Sequence, residues 1–166
     1  GTAQFGLDYG ISNRDGQTPR EDVKNIIQYA MKVGIQLFDT APAYGDSERL
    51  LGEYLTDTTT KITTKIGEIN SEAIETDVIT NVRGRFVQSL IRLRRESVYG
   101  LLLHRGRDLL KPGSDKLYRV LEELKVSGLV EKIGVSVYRK NELAQILDRY
   151  QIDFAQLPVS IYDQSF

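Results

Sequence analysis

The sequence predicts an α/β fold built around a parallel sheet, because six short apolar runs alternate with amphipathic helical segments along the chain. The runs recur at intervals of roughly 25 to 35 residues, the spacing of right-handed βαβ units. Residues 98–103 are almost continuously apolar, which is typical of a parallel strand covered on both faces. Two architectures fit: a complete doubly wound sheet, or a (β/α)8 barrel with about six of its eight βα units present.

Length and composition indicate a single globular domain over residues 1–166, since 40% of the residues are hydrophobic and 27% are charged. The net charge of −1 gives no bulk attraction to nucleic acid or acidic lipid. The absence of cysteine excludes a thiolate metal site, and a single histidine argues against structural zinc. With no apolar run near the ~18 residues of a membrane span and no signal-peptide pattern, we expect a cytoplasmic protein without a membrane partner.

The predicted strands are short runs rich in β-branched or aliphatic residues. They lie at residues 1–6, 35–39, 61–66, 98–103, 132–137 and 154–157. The first helix is expected to start at Thr-Pro-Arg-Glu, residues 18–21, which has capping-box spacing, and to end near Gly34.

Later helices are indicated by apolar residues at helical spacing, beginning with a short helix from about Ser47. A longer helix carries the stripe Ile79, Val82, Phe86, Leu90 and Leu93. Its arginine cluster, between Arg83 and Arg95, is interpreted as a solvated face, because no aromatic platform is interleaved with it. Two further helices are expected around Leu121 and Ile146, with a loop over residues 105–113 before the first of them.

Common nucleotide and hydrolase motifs are missing. No Gly-x-Gly-x-x-Gly follows any predicted strand and no Walker loop is present, so the doubly wound alternative gains no support. Residues 134–138, Gly-Val-Ser-Val-Tyr, approach a nucleophile elbow but lack its final glycine. A serine-hydrolase triad is therefore not indicated.

Titratable side chains end three consecutive predicted strands. Asp39, Lys65 and His104 occupy these positions, and Tyr44 follows Asp39 in a short loop. Each has an ordinary explanation as a turn, cap or solvated residue. In a barrel, however, successive strand ends point at one pocket, so their joint placement predicts an active site.

Residues 39–45 read Asp-Thr-Ala-Pro-Ala-Tyr-Gly, which resembles the Asp-Thr-Ala-x-x-Tyr-Gly motif of the aldo-keto reductases. Thr64-Lys65 and Leu-Leu-Leu-His at 101–104 follow in that family's order. Residues 1–6 are similar to its first barrel strand and 132–136 to its fifth. The resemblance implies the barrel.

By this resemblance the catalytic tetrad is Asp39, Tyr44, Lys65 and His104, and the reaction is reduction of an aldehyde or ketone to an alcohol. Tyr44 would donate the proton, and Lys65 would lower the pKa of its phenol. Asp39 would pair with Lys65, while His104 would hydrogen-bond the small-molecule carbonyl substrate.

The family's cofactor is a nicotinamide dinucleotide lying across the barrel mouth, expected as NADP with NAD as the alternative. The resemblance places its contacts on Gly1, Thr2, Asp39, Ser136 and Gln156, and it implies no metal. Val137 stands where the family has asparagine, so this sequence departs from the family's pattern at one amide contact. The last strands and phosphate-binding loops of the family are also missing, so we expect a barrel domain truncated at both ends, mainly at the C-terminal one.

Two other functions stay open on the residues alone. One is a non-enzymatic cofactor-binding or regulatory subunit of the same fold. The other is a barrel aldolase using Lys65 as a Schiff base, which the neighbouring Tyr44 disfavours. The sequence specifies neither the substrate nor the oligomeric state.

Overall fold

The computed structural model describes residues 1–162, within which five parallel strands form one sheet. They are β1 (Leu37–Asp39), β2 (Lys61–Ile66), β3 (Val98–Leu103), β4 (Val130–Ser136) and β5 (Phe154–Gln156). Strands adjacent in the sheet are adjacent in sequence, in the order β1-β2-β3-β4-β5. A doubly wound sheet reverses its strand order midway, whereas a barrel does not. The predicted partial (β/α)8 barrel is confirmed.

Two helices precede the first strand and four connect successive strands. They are α1 (Ala3–Gly6), α2 (Arg20–Lys32), α3 (Ser47–Tyr54), α4 (Thr76–Leu93), α5 (Ser114–Val126) and α6 (Lys140–Leu147). The segment after β3, predicted as loop, contains a 3₁₀-helix at Gly106–Leu110. No helix among residues 1–162 is long and apolar enough to cross a bilayer. The same part of the chain holds no group of three or more metal-ligating His, Cys, Asp or Glu side chains.

The predicted first strand is wrong, because residues 3–6 form the short helix α1. Its backbone bonds are local: Phe5 N–H donates to Thr2 O and Leu7 N–H to Ala3 O, both at 3.0 Å. Phe5 turns into the core and is buried. A stretch of six residues is too short for periodicity to distinguish strand from helix, so the local hydrogen bonds decide. The chain consequently shows five strands in the described residues rather than six.

The capping box predicted at residues 18–21 is also wrong, although the helix position is right. Helix α2 begins at Arg20 with Pro19 as its N-cap, and no side chain caps it. The Thr18 N–H instead donates to Gln4 O at 2.9 Å, which ties the helix start to α1. Glu21 and Asp22 in the first turn complement the positive end of the helix dipole.

One hydrophobic core lies between the outer face of the sheet and the helices. The predicted α4 stripe contributes to it, with Val82, Phe86, Leu90 and Leu93 buried. Strand residues of one face complete it, including Ile62, Ile66, Leu101, Leu103, Ile133 and Val135. The opposite face of the sheet lines the barrel interior, and Lys65 lies on that face.

Truncating Phe86 to alanine is expected to lower the free energy of unfolding by about 3–5 kcal/mol, since the side chain is fully buried and a cavity would replace it. Urea unfolding followed by circular dichroism measures the change. The matched control is Val87→Ala one residue further along α4, where 48% exposure predicts a change within about 0.5 kcal/mol. Equal losses for the two variants would contradict the assignment of the core.

Candidate active site

The carboxyl ends of three neighbouring strands bring the predicted residues to one rim. Asp39 is the last residue of β1, and Lys65 is the penultimate residue of β2, in register with Leu102. His104 directly follows β3, and its N–H donates to Ile66 O at 3.0 Å. That hydrogen bond extends the ladder by one residue and fixes where the imidazole emerges.

Lys65 and Asp39 form an ion pair at the centre of this rim. The Nζ atom donates to Asp39 Oδ1 at 2.7 Å and to Thr40 O at 3.0 Å. Thr63 Oγ1 donates to the same carboxylate oxygen at 3.2 Å. Lys65 is only 1% exposed, so burial lowers its pKa while the Asp39 carboxylate opposes that shift. The pair therefore keeps the ammonium charged and aimed in one direction.

The Tyr44 ring lies between the lysine and the histidine. Lys65 Nζ is 5.0 Å from the ring centroid of Tyr44, within cation–π range. The His104 ring stands edge-on to it, with centroids 6.0 Å apart and an interplanar angle of 87°. All four residues of the predicted tetrad thus meet at one point, which the sequence placement anticipated.

Two turns and a glycine contact hold the loop that carries Tyr44. Tyr44 N–H donates to Ala41 O at 3.0 Å, and Ser47 N–H donates to Tyr44 O at 3.1 Å. Gly45 has φ +54°, and a side chain there would collide with the carbonyl of Gly6. Glycine is therefore required at position 45 for both backbone angle and space.

Burial, with the Asp39 carboxylate as a smaller cause, raises the pKa of Tyr44 to about 12. Lys65 is not among the causes of this upward shift, and the expectation that it lowers the pKa of Tyr44 stays a prediction. The ammonium faces the ring rather than pairing with the hydroxyl, and Asp39 offsets its charge. The phenol consequently keeps its proton at neutral pH. It can still protonate an alkoxide, because an aliphatic alcohol is a weaker acid than this phenol.

His104 is held neutral by its surroundings. Burial and then the positive charge of Lys65 lower the pKa of the imidazole. Its Nδ1 atom is buried and has no hydrogen-bond partner among residues 1–162. Buried donors without partners are rarer than buried acceptors without partners. We therefore assign the proton to Nε2, which makes the imidazole a hydrogen-bond donor towards the rim.

The two predicted carboxamide contacts lie side by side at the same rim. Ser136 ends β4 and Gln156 ends β5, and the two residues are in register. Val137 N–H donates to Gln156 O at 2.9 Å, which locks this corner of the sheet. The Val137 side chain is buried against Gly106 and offers no polar group to the rim.

The Thr2 hydroxyl forms hydrogen bonds within the protein. It donates to Asp39 O at 2.9 Å and accepts from Ser47 Oγ at 2.6 Å. Ser47 Oγ in turn lies 3.0 Å from Thr40 Oγ1, so three buried hydroxyls link Thr2 at the start of the chain to Asp39 and to the residue after it. Gly1 is exposed. The cofactor contacts assigned to Gly1 and Thr2 stay predictions.

Sequence reasoning missed a fully buried carboxylate behind the site. Glu48 is fully buried, accepting from Thr64 Oγ1 at 2.5 Å and from Arg92 Nε at 2.7 Å. It precedes Leu51 by three residues and Leu55 by seven, so it lies on the apolar face of α3. A carboxylate on the apolar face of a helix is the signal that could have predicted a buried, hydrogen-bonded partner for Glu48.

Comparisons with known proteins agree with this geometry. A family model described as the Aldo/keto reductase family matches residues 1–165. D-arabinose 1-dehydrogenase from Saccharomyces cerevisiae is 30% identical over 123 residues, covering 70% of this chain and 36% of that protein.

Solved structures show the same fold. A Pseudomonas aeruginosa protein assigned to the aldo-keto reductases has a TM-score of 0.80 at 26% identity, over 98% of this chain and 63% of its own. Glycerol dehydrogenase from Gluconobacter oxydans has a TM-score of 0.69 at 25% identity, over 97% and 50%. A variant of Gox0644 in complex with NADPH has a TM-score of 0.59 at 28% identity, over 80% and 46%.

This chain spans less than two thirds of the length of each of these relatives. The family model nevertheless matches nearly every residue, including all those at the rim. The chain belongs to the aldo/keto reductase family.

Proposed function

We propose that a protein carrying this sequence reduces the carbonyl group of a small aldehyde or ketone, with Tyr44 as the proton donor. The observation that carries the proposal is the Lys65–Asp39 ion pair seated against the Tyr44 ring. Burying a lysine and its carboxylate partner carries a desolvation penalty, and such pairs are common at catalytic sites. A role in proton delivery by the adjacent phenol accounts for this one.

Three residues at the rim would each have one role in the reduction. His104 Nε2–H donates a hydrogen bond to the carbonyl oxygen, and the Tyr44 hydroxyl stands beside it. As negative charge develops on that oxygen, the Tyr44 proton moves to it, downhill from a phenol with a pKa of about 12. Lys65, 5.0 Å from the ring centroid, then stabilises the phenolate left behind.

A nicotinamide cofactor would supply the hydride, which no side chain can provide. Ser136 and Gln156 fit its carboxamide, because hydroxyl and amide groups both donate and accept hydrogen bonds and the two lie in register. We propose NADP rather than NAD, supported by the NADPH complex of the Gox0644 variant.

The test is oxidation of NADPH, and separately of NADH, by the full-length protein with a panel of aldehydes and ketones. We expect turnover that is faster with NADPH. Binding of NADPH without turnover of any carbonyl compound would contradict the proposal and favour a regulatory subunit. Borohydride trapping of a substrate on Lys65 would instead favour a Schiff-base enzyme.

A further inference from the structure

A pocket of about 460 Å³ opens directly beside the proposed carbonyl-binding residue. His104 and Ser136, both at strand ends, form its inner wall. Its outer walls are the 3₁₀-helix after β3 and the start of α6. The volume falls in the ~300–1,000 Å³ range of small-molecule sites. A substrate whose carbonyl oxygen meets His104 could therefore extend its remaining atoms into this pocket.

The pocket is positively charged. Its lining includes Arg105, Arg107 and Arg139, against the single carboxylate of Glu142. Arg105 forms an ion pair with Glu68 and is thereby neutralised. Arg107 and Arg139, by contrast, have no hydrogen bond or ion pair with any side chain in the described part of the chain. Two guanidinium groups are thus free to bind an anion.

We infer that this pocket binds a carboxylate or phosphate carried by the carbonyl substrate, so that the enzyme prefers anionic aldehydes or ketones. The inference rests on the proposed function, since it needs the carbonyl group at His104. Guanidinium forks match both anions in a bidentate geometry. Leu110 and Tyr138 offer apolar surface in the same pocket for the carbon atoms in between.

The phosphates of the cofactor are the other source of such an anion. Ser136 and Gln156 are assigned to the nicotinamide end of the cofactor, and the phosphates lie beyond a ribose from that end. Arg107, in contrast, follows the carbonyl-binding His104 by only three residues. Its position favours the substrate as the source.

The test compares 4-formylbenzoate with 4-formylbenzamide, which have nearly the same shape but differ by one charge. In the full-length protein, kcat/KM should be higher for the benzoate, and added salt should reduce that preference. Arg107→Gln combined with Arg139→Gln should lower the preference for the benzoate about five- to ten-fold, mainly by raising the KM for the benzoate. This magnitude assumes that each exposed charge contributes a few-fold. Arg119→Gln on α5, exposed and outside the pocket, is the matched control.

The outcomes separate the inference from the function on which it rests. Unchanged preference in the double variant, with both aldehydes still reduced, overturns the inference and leaves the reductase. A raised KM for NADPH with unchanged aldehyde preference assigns the arginines to the cofactor phosphates and overturns it as well. If neither aldehyde nor any other carbonyl compound is reduced, both proposals fail together.

Discussion

Replacing Tyr44 by phenylalanine is expected to lower kcat for carbonyl reduction by about 10²- to 10⁴-fold, because the variant lacks the proposed proton donor. The ring, its contact with Lys65 and its edge-on packing with His104 can all persist in the variant. The Tyr44 hydroxyl makes no hydrogen bond within residues 1–162, so the free energy of unfolding should change by less than about 0.5 kcal/mol. Steady-state NADPH oxidation and thermal unfolding measure the two quantities.

Tyr29→Phe is the matched control for this variant, since Tyr29 is 67% exposed on α2 and remote from the rim. It should leave kcat unchanged. Full activity in Tyr44→Phe would show that another group delivers the proton. A large drop in thermal stability would mean instead that the hydroxyl has a structural role.

Replacing Asp39 by asparagine is expected to destabilise the fold by about 2–3 kcal/mol at pH 7, because it leaves the Lys65 ammonium buried without its counter-ion. The expected loss in free energy of unfolding is smaller than for a fully buried pair, because asparagine keeps a polar acceptor and the Asp39 side chain is 20% exposed. Urea unfolding at several pH values measures the change.

The pH dependence of that loss follows from Lys65. Burial already lowers the pKa of this lysine, and removing Asp39 takes away the main opposing influence. Between the lowered folded-state pKa and the unfolded-state value near 10.4, the unfolded chain binds more protons. Stability of the variant relative to the parent should therefore recover as the pH rises from 7 towards 10.

A double variant separates charge from packing. Combining Asp39→Asn with Lys65→Met removes the ammonium as well, and replacing both charges of a buried pair is often close to neutral. The double variant should thus be more stable than Asp39→Asn alone, although inactive. If it is less stable than the single variant, the buried charge is not what destabilises Asp39→Asn.

The strand ends could be predicted because the pattern there is local. An apolar run followed by Asp39, Lys65 or His104 needs no knowledge of distant residues, and parallel strands bring such ends together. The structure places the three side chains and Tyr44 in contact as expected. Their catalytic roles are proposals that the experiments above address.

What the sequence could not predict depends on partners far along the chain. Ser47 bonds Thr2 across 45 residues, and Glu48 bonds Arg92 across 44. No local pattern specifies such pairs. The pKa of Tyr44 likewise depends on tertiary structure, because its upward shift comes from burial and from the nearby Asp39 carboxylate.

The contact between Gly6 and Gly45 limits how the loop around Tyr44 can be altered. A side chain at Gly45 would collide with the carbonyl oxygen of Gly6, and a side chain at Gly6 would collide with the backbone of Tyr44, Asp46 and Ser47, so neither position accepts one. The opposite side of that loop is open: Pro42 and Ala43 line a pocket of about 600 Å³. Anyone redesigning this protein, or tracing how its relatives diverged, should look for variation at positions 42 and 43 and for constancy at Gly6 and Gly45.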